Sequence, residues 1–492
     1  MIMIKIRSNL LFKPLLLILP LLLTLTACGG SASDDGTTDP PVDEITVPGD
    51  TSLPEPLRTI EAGPDNYRSQ LSALQPGDWL QLSAGTYRDG LPLRDLTGSP
   101  DHPIVISGPT SGEPAVFLAR SGANTVSLRN VAHVVIRHLH LDGQQLNVAG
   151  VVAEANSDWS HHITLEHLRI RNHDRSQGNT GITTRSPAWN WVIRHNDIRD
   201  VGTGLYLGRP DGSGPFIGGL IENNFIADTL GYNMQIKHQR VRDLVPGMPT
   251  EPRQTVIRYN VFSKAARASS GAQARPNLLV GHWPPQGPGA DDQYLIYANL
   301  FHENPHERLF QGEGNVALYN NVLINSGGDG VILFRHNDRP KNVQILHNTI
   351  VAGGFGIRID QPDPDAAQQV AGNAVFAVNP LVLDPAVETD SNYLNTLSSA
   401  PNLLSRITTD LAELDLYPRS QALRHGGAEV SAPPLPQLER DYNHRPRQPG
   451  WYGAYASGDA VNPGRPEGIG PRVAGSGIQP HLSLSPLQPE KR

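Results

Sequence analysis

The sequence predicts an all-β solenoid, in which short strands stack coil upon coil. The chain has 492 residues, with 48 glycines and 43 prolines, and both residue types interrupt helices and occupy turns. A frame of the form apolar-x-x-Asn-x-apolar also recurs along the chain. Successive copies are 22 to 39 residues apart. Repeats of this length are typical of solenoids, whose coils bury their apolar faces only against neighbouring coils. The repeated asparagines are Asn196, Asn224, Asn260, Asn299, Asn321, Asn348 and Asn373.

Each repeated asparagine is predicted to be structural. A short amide tolerates the left-handed backbone of a tight corner and can bond the backbone of the next coil. Two earlier copies of the frame carry Leu139 and Leu168 at the asparagine position. The shortest interval, from Asn299 to Asn321, corresponds to one bare coil, whereas the two intervals between Asn224 and Asn299 are much longer. Such insertions often lie on a binding face, so two neighbouring long loops are expected to wall a groove.

The ends of the array resemble those of right-handed parallel β-helix proteins. The stretch 74–87 contains a Gly-Asp turn and a Gly-Thr-Tyr segment, and 103–107 is a second strand-like run. Near the other end, 441–447 is followed by the Gly-Ala-Tyr segment at 453–455. The resemblance implies a right-handed parallel β-helix with long loops on one face and an irregular C-terminal segment.

The N-terminus is predicted to be an export signal. Basic residues precede an apolar run, which ends in Leu25-Thr26-Ala27-Cys28. These four residues resemble the lipobox of bacterial lipoproteins, which implies that Cys28 is acylated and anchors the chain in a membrane. Gly29 after the cysteine suggests an outer-membrane lipoprotein, periplasmic or at the cell surface. The alternative is a transmembrane anchor, but the apolar run is shorter than the ~20 residues that a span requires.

Cys28 is the only cysteine, so no disulfide, thiol nucleophile or cysteine metal site is expected. The predicted organisation is a signal peptide at 1–28, a flexible tether at 29–57 and a β-helix at 58–380. C-terminal coils or a cap follow at 381–460, and a disordered tail at 461–492. The tether and the tail are rich in residues that cannot build a core.

The stretch Gly231–Pro284 departs most from the regular pattern. It holds eight basic residues against Asp243 and Glu251, a local charge of +6 in a chain whose net charge is -8. An acidic, exported chain disfavours nucleic acid as a partner despite this basic segment. The basic residues are Lys237, Arg240, Arg242, Arg253, Arg258, Lys264, Arg267 and Arg275.

Three parts of this stretch resemble the chondroitinase-B and alginate lyase family of polysaccharide lyases. They are Lys237, the run 255–262 around Arg258-Tyr259-Asn260, and the run 277–282 that ends in His282. The resemblance implies that Lys237 is a catalytic base and that His282 takes the place of the family's histidine. Gly281, however, stands where the family has its catalytic arginine. The run 230–233 also lacks the acidic residues that would hold calcium, so no cofactor is predicted.

The chemistry of β-elimination next to a uronate needs a base, a cation for the carboxylate and an acid for the leaving oxygen. Lys237 can act as the base if burial or neighbouring cations lower its pKa, and the arginine-rich loops are expected to supply such cations. Arg258 or Arg275 could bind the carboxylate in bidentate fashion. His238 or His282 could donate the proton.

A second group of polar residues follows in the next coils. Carboxylates on successive coils can lie close together, as in a glycoside hydrolase, or can bind saccharide hydroxyls. His302 and His306 are not placed on a helix, so their spacing does not predict a metal site. The residues predicted to bind substrate are Arg258, Arg275, Glu303, Arg308, Glu313, Arg335 and His336, and the alternative hydrolase would use Glu303, Glu307, Glu313 and Asp338.

The sequence therefore predicts an exported, lipid-anchored, monomeric enzyme that cleaves an acidic polysaccharide by elimination. Two alternatives stay open: a glycoside hydrolase that uses carboxylates in the same groove, and a non-catalytic β-helix that binds glycans at the cell surface.

Overall fold

The computed structural model describes residues 53–419, 421–424, 430, 434–456 and 459–470, all within one compact unit that begins at Ser52. The predicted signal peptide with Cys28, most of the predicted tether, and the tail beyond 470 lie outside the described residues. Within the described part of the chain, no helix is long and apolar enough to cross a membrane.

The fold is a right-handed parallel β-helix, as predicted. Among the described residues, 35 strands form one continuous sheet in which every pairing is parallel. The strands stack in three columns, which we call columns A, B and C. A coil of the helix runs through A, then B, then C.

Column A contains the strands Arg58–Ala62, Asp78–Leu82, Ile104–Ser107, the end of Val126–Arg137, Ser160–Glu166, Val192–Arg194, Leu220–Glu222, Gln254–Arg258, Gln293–Tyr297, Gly314–Tyr319, Pro340–Leu346, Gln368–Ala371 and Glu388–Asp390. Column B contains Gly85–Tyr87, Ala115–Leu118, Leu139–Asp142, Arg169–Arg171, Asp197–Arg199, Phe225–Ala227, Val261–Ser263, Leu300–His302, Val322–Asn325, the starts of Thr349–Ile359 and Ala374–Leu383, and Tyr393–Asn395.

Column C contains Leu91–Thr97, the start of Val126–Arg137, Val151–Ala153, Thr180–Thr184, Thr203–Leu207, Met234–Ile236, Leu278–Val280, Phe310–Gly312, Val331–Leu333 and the ends of Thr349–Ile359 and Ala374–Leu383. The short strands Ala188–Trp189 and Phe216–Ile217 extend the corner before column A. The helical turns are Tyr67–Gln70, Leu71–Ala73, Gly271–Gln273, Leu397–Ser399 and Ala400–Leu403.

The core of the helix is a set of apolar rows, one per inward position. Side chains alternate between the two faces of each strand. Because the coils are stacked in register, an inward position on one coil lies directly above an inward, apolar position on the next. The central row of column A is fully buried from Ile106 to Ile345. Its members are Ile106, Ile136, Leu165, Ile193, Ile221, Ile257, Ile296, Leu318 and Ile345.

The predicted asparagine ladder lies at the corner between columns A and B. Each side-chain amide donates to the Oδ1 atom of the asparagine on the next coil, at 2.9 to 3.1 Å, and to a backbone carbonyl oxygen of the previous coil. At the open start of the ladder, Asn196 accepts a bond from the backbone N–H of Leu168. The ladder extends one step further than the sequence predicted, to Asn392.

The left-handed backbone of this corner does not fall on the ladder asparagines, and that part of the prediction is wrong. It falls on the residue before each of them, with φ between 48° and 57° at the non-glycine positions. The asparagine keeps ordinary backbone geometry, which directs its side chain into the corner. The left-handed residues before the ladder asparagines are His195, Asn223, Tyr259, Ala298, Asn320, His347 and Ser391, with Gly372 at the remaining step. His138 and His167 have the same backbone at the equivalent position before Leu139 and Leu168.

The C-terminal region covers the outside of the later coils. The antiparallel pair Leu404–Arg406 and Asp415–Pro418 packs with 434–456 in an apolar cluster. Residues 461–470, assigned above to a disordered tail, also pack against the helix. The guanidinium of Arg465 lies 3.7 Å from the ring centre of Tyr442, and the N–H of Gly470 donates to Asn223 Oδ1 at 2.7 Å.

We expect Asn299→Ala to lower the free energy of unfolding by about 3 kcal/mol or more, because several buried partners lose a bond and each unsatisfied group costs about 1–3 kcal/mol. The Asn299 side chain accepts from the N–H and Nδ2 of Asn260 and donates to Ile257 O and Asn321 Oδ1. Chemical denaturation measures the change, with Asn156→Ala at an exposed asparagine as the control. An equal effect of both substitutions would contradict a stabilising role for the ladder.

Candidate active site on the outer face of column C

Lys237 lies on the outer face of column C, directly after the strand Met234–Ile236. Its neighbour Ile236 points inward and is fully buried, whereas Lys237 is half-buried. Residues at the same register follow the column C strands of the adjacent coils. In order along the helix they are Arg185, Gly208, Lys237, Gly281 and Glu313.

The two positions beside Lys237 on this row are glycines, so neither of them places a side chain next to that of Lys237. Neighbouring coils are separated by about 4.8 Å, so Arg185 and Glu313 each lie two coil steps from Lys237. This row therefore places one amine between a guanidinium and a carboxylate, without a bulky side chain between them.

The pKa of Lys237 is lowered by burial, while the negative charge of Glu313 acts in the opposite direction. A lysine needs a lowered pKa to act as a base near neutral pH. The arginine-rich loops were expected to supply this effect, but burial supplies it instead.

Gly281 shows why an arginine does not stand at this position. A Cβ atom there would lie 2.3 Å from the backbone N and 2.7 Å from the Cα of His238. Because these are backbone atoms, they cannot move aside as the end of a side chain could. The departure from the polysaccharide lyase pattern is thus built into the path of the chain after Lys237.

His238 and His282 form a stacked pair next to this row. Their ring centres are 5.2 Å apart with an interplanar angle of 24°, and the N–H of Gln239 donates to His282 O at 2.9 Å. His282 Nδ1 lies 2.8 Å from Trp283 O. Because a carbonyl oxygen only accepts, Nδ1 carries a proton, and a neutral His282 has Nε2 as its acceptor.

The pKa of His238 is lowered to about 4 by burial, with Lys237 and His282 adding to the effect. His238 is therefore neutral near neutral pH, which makes it a poor donor of a proton from an imidazolium. A cleft of about 500 Å³ opens beside the pair and is lined by His282, Arg240 and Ser213 among others.

The two long insertions that follow column C strands are the ones expected from the repeat spacing. They span 237–253 and 281–292, and a fully buried ion pair between Arg242 and Asp292 joins them. Arg242 also donates to Gln239 Oε1, and Asp292 Oδ1 accepts from the N–H of Arg253 at 2.8 Å. Gly289 is required here, because a Cβ atom would lie 2.3 Å from the guanidinium carbon of Arg242.

Arg258 and Arg275 do not lie beside Lys237, so the structure contradicts their predicted place in this groove. Arg258 is on the outer face of column A, where it donates to Glu222 Oε2 at 2.8 Å and to the hydroxyl of Tyr297 at 3.0 Å. Arg275 lies before the strand Leu278–Val280, at the opposite end from Gly281, and donates to the carbonyl oxygens of its own loop.

The second predicted group does not converge either. Glu303 is buried after a column B strand, where Ser326 donates to it from its N–H and its hydroxyl, and burial raises its pKa. Arg308 pairs with Glu307 at 2.7 Å and lies 5.5 Å from the ring centre of Phe334. In contrast to Glu303, Glu313 belongs to the Lys237 row.

The carboxylate of Glu313 is held by the loop that carries the last two predicted residues. Its Oε1 accepts from the N–H groups of His336 and Asn337, at 2.8 and 2.6 Å. Arg335 and His336 themselves have exposed side chains. The backbone of this loop, rather than the side chain of His336, thus contacts the site.

The sequence did not identify three residues of this face, which are Tyr206, Gln235 and Arg185. Tyr206 lies on the outer face of the strand Thr203–Leu207, next to Gln235 on the following coil, and burial raises its pKa to about 12. Arg185 lies on the row of Lys237. None of the three belongs to a motif, so only the register of the coils could have identified them.

Lys264 is a second lysine with a lowered pKa, about 7, caused by burial. It is fully buried, and its Nζ donates to Arg275 O at 2.7 Å. Because solvent does not reach it, we regard Lys264 as an anchor of its loop.

Comparisons with known proteins give similarity to solved structures only. No protein-family model matches the chain, and no curated protein sequence does. An alginate lyase from Paenibacillus sp. str. FPU-7 is 17% identical over 69% of this chain and 99% of its own, with a TM-score of 0.42. The GH136 lacto-N-biosidase from Eubacterium ramulus is 11% identical over 69% and 67%, with a TM-score of 0.39. Pectate lyase Pel9A is 14% identical over 86% and 96%, with a TM-score of 0.38.

Proposed function

We propose that the chain is an exported, lipid-anchored enzyme that cleaves a uronate-containing polysaccharide by β-elimination, with Lys237 as the base. The observation that carries this proposal is the placement of Lys237: outward, half-buried, with a lowered pKa, and between two glycines that carry no side chain. Acylation of Cys28 and a place in the outer membrane belong to the same proposal and rest on the N-terminal sequence.

In the proposed step, the neutral Nζ of Lys237 takes the proton from C5 of the uronate. The electron pair of the C5–H bond forms a C4–C5 double bond, and the bond between C4 and the glycosidic oxygen breaks. The leaving oxygen takes a proton from Tyr206, whose high pKa keeps its hydroxyl protonated at neutral pH. His238 and His282 then orient the sugar through hydrogen bonds rather than transfer the proton.

Arg185 is the proposed partner of the uronate carboxylate, in place of Arg258 and Arg275. It is half-buried on the row of Lys237, and its planar guanidinium suits bidentate binding of a carboxylate. Neutralising the carboxylate makes the C5 proton more acidic, so this contact aids the step at Lys237.

The positions of the carboxylates favour elimination over hydrolysis as the proposed reaction. A glycoside hydrolase needs two carboxyl groups flanking one bond, whereas only Glu313, among Glu303, Glu307, Glu313 and Asp338, lies on the Lys237 row. Glu303 is held by Ser326, Glu307 pairs with Arg308, and Asp338 lies 3.6 Å from Lys341 Nζ.

We expect the whole protein to release unsaturated, ultraviolet-absorbing products from at least one polymer in a panel of uronate polysaccharides. Lys237→Ala should lower kcat for that polymer by about 10² to 10⁴, because a general base usually contributes a factor of this size. Lys341→Ala, at a lysine outside the site, is the control. Full activity of Lys237→Ala would show that Lys237 is not the base. Reducing ends without ultraviolet absorbance would indicate hydrolysis, and binding without products would indicate a glycan-binding module.

We expect Glu313→Gln to shift the alkaline rise of kcat to lower pH. A base must be deprotonated, so the rate rises with pH through the pKa of Lys237. Because the charge of Glu313 raises that pKa, its removal lowers the midpoint. Glutamine keeps an oxygen that accepts from His336 and Asn337. Glu251→Gln, at an exposed carboxylate, should leave the profile in place, and an unshifted midpoint in Glu313→Gln would exclude the proposed coupling.

We expect Arg185→Gln to raise KM for the acidic polymer at least about tenfold, since charge-assisted hydrogen bonds to a carboxylate are worth about 1.5–3 kcal/mol. Arg258→Gln should instead lower the thermal stability with little change in KM, because Arg258 pairs with Glu222 on another face. Steady-state kinetics and thermal melts of both variants measure this difference. A raised KM in Arg258→Gln with an unchanged KM in Arg185→Gln would indicate that Arg258, and not Arg185, binds the carboxylate.

A further inference from the structure

A cluster of three histidines lies on the outside of the helix, at the corner between columns C and A. His133 and His162 occupy equivalent corner positions on successive coils, each with a left-handed backbone of φ 51°. Their rings stack at 4.3 Å, and the ring of His161 stands edge-on to both, at 5.5 and 5.0 Å. One ring nitrogen from each residue lies within 4.8 Å of the other two.

The nitrogens of this cluster face one another at short range. His161 Nδ1 and His162 Nδ1 are 2.8 Å apart, so one of them carries a proton and the other accepts it. His133 and His161 are half-buried and His162 is exposed, which leaves the cluster open to solvent on one side. Trp189 stacks on the ring of His161 at 4.5 Å, and Trp159 lies 4.9 Å from it.

The backbone that carries the cluster is well fixed. His161 pairs with Ala132 on one side and with Trp189 on the other, in parallel register. Asn190 takes the next corner position, and its Nδ2 lies 3.0 Å from His162 Nε2. The three imidazoles can therefore meet a ligand by rotation of their side chains, which turns the stacked rings of His133 and His162 towards a common point without a change in the coils.

The geometry fits a tetrahedral metal ion. With metal–nitrogen distances of 2.0–2.1 Å, two nitrogens on one tetrahedron are about 3.3 Å apart. The pair of Nδ1 atoms has to open by about half an ångström from 2.8 Å. The distances to the His133 nitrogen, which are at most 4.8 Å, have to close by up to about 1.5 Å. Imidazole suits zinc, copper and nickel, whereas calcium and magnesium require oxygen ligands. No carboxylate belongs to the cluster within the described residues.

We propose that His133, His161 and His162 bind one divalent transition metal ion, Zn²⁺ in the first instance, with a fourth position open to water. Binding displaces the proton shared by the two Nδ1 atoms. His162 then carries its proton on Nε2, and the Asn190 amide turns so that its Oδ1 accepts it, which is the outer contact that metal-bound histidines usually make.

The ion would stabilise the far end of the loop that begins at Lys237. Met248, in that loop, packs in one cluster with Trp189 and Ile217, and Trp159 packs against this cluster. The same tryptophans contact His161. The site is thus separate from the proposed elimination chemistry, and its test does not depend on finding a substrate.

The test is a titration of the whole, untagged, chelator-treated protein with Zn²⁺ in a calorimeter. We expect one ion per chain, and affinities at least about tenfold weaker in His133→Asn and in His162→Asn. Asparagine is the replacement because it tolerates the left-handed backbone. His138→Asn is the matched control, since His138 also has a left-handed backbone, with φ 55°, outside the cluster, and it should bind as the unaltered protein does.

Two further measurements keep the proposal open to refutation if a variant folds poorly. Zn²⁺ should raise the melting temperature of the unaltered protein and of His138→Asn but not of the double variant at positions 133 and 162. Co²⁺ should give the visible absorption band of a tetrahedral site in the unaltered protein. Absence of stoichiometric Zn²⁺ binding, absence of that band, or binding that the double variant retains would each overturn the proposal.

Discussion

The register of one coil on the next is the constraint on which the rest of this structure depends. The asparagine ladder fixes it at one corner, because each amide is satisfied only when the coils are aligned. A slip of one residue would turn every inward row outward and would leave the buried amides without partners. The residues of the candidate site are distant in sequence and share a face only through this alignment.

Much of the charge in the basic segment is used by the scaffold itself. Arg242 is buried with Asp292, Arg253 pairs with Glu251, and Arg267 pairs with Asp174. On column A an alternating row of charges runs from Arg137 to Arg258. Much of the positive charge of the segment therefore holds loops and coils in place, and only the remainder is left for the candidate site.

The sequence predicted the fold well, because a periodic fold repeats its signal. Seven copies of one frame located the coils, and the spacing of Asn224, Asn260 and Asn299 located the insertions. It predicted that Lys237 faces outward, since side chains alternate along a strand. It could not predict that Arg185 and Tyr206 share the face of Lys237, because coils of unequal length hide which residues are neighbours. It misplaced Arg258 for the same reason, since closeness in sequence to Lys237 does not imply the same column.

Gly281 links the backbone path to the proposed chemistry. The main chain of His238 fills the space that a side chain at 281 would need, so this site has no cation at the position next to Lys237. Without such a neighbour, the pKa of Lys237 depends on burial, with Glu313 as the opposing charge. Burial in turn depends on how the chain packs after Lys237, where the buried pair of Arg242 and Asp292 ties the two long loops together. The pKa of Lys237 is therefore set by packing, where a neighbouring arginine would have lowered it by charge. A change in the packing of these loops should alter the chemistry proposed for Lys237, even where the changed residue does not contact the substrate.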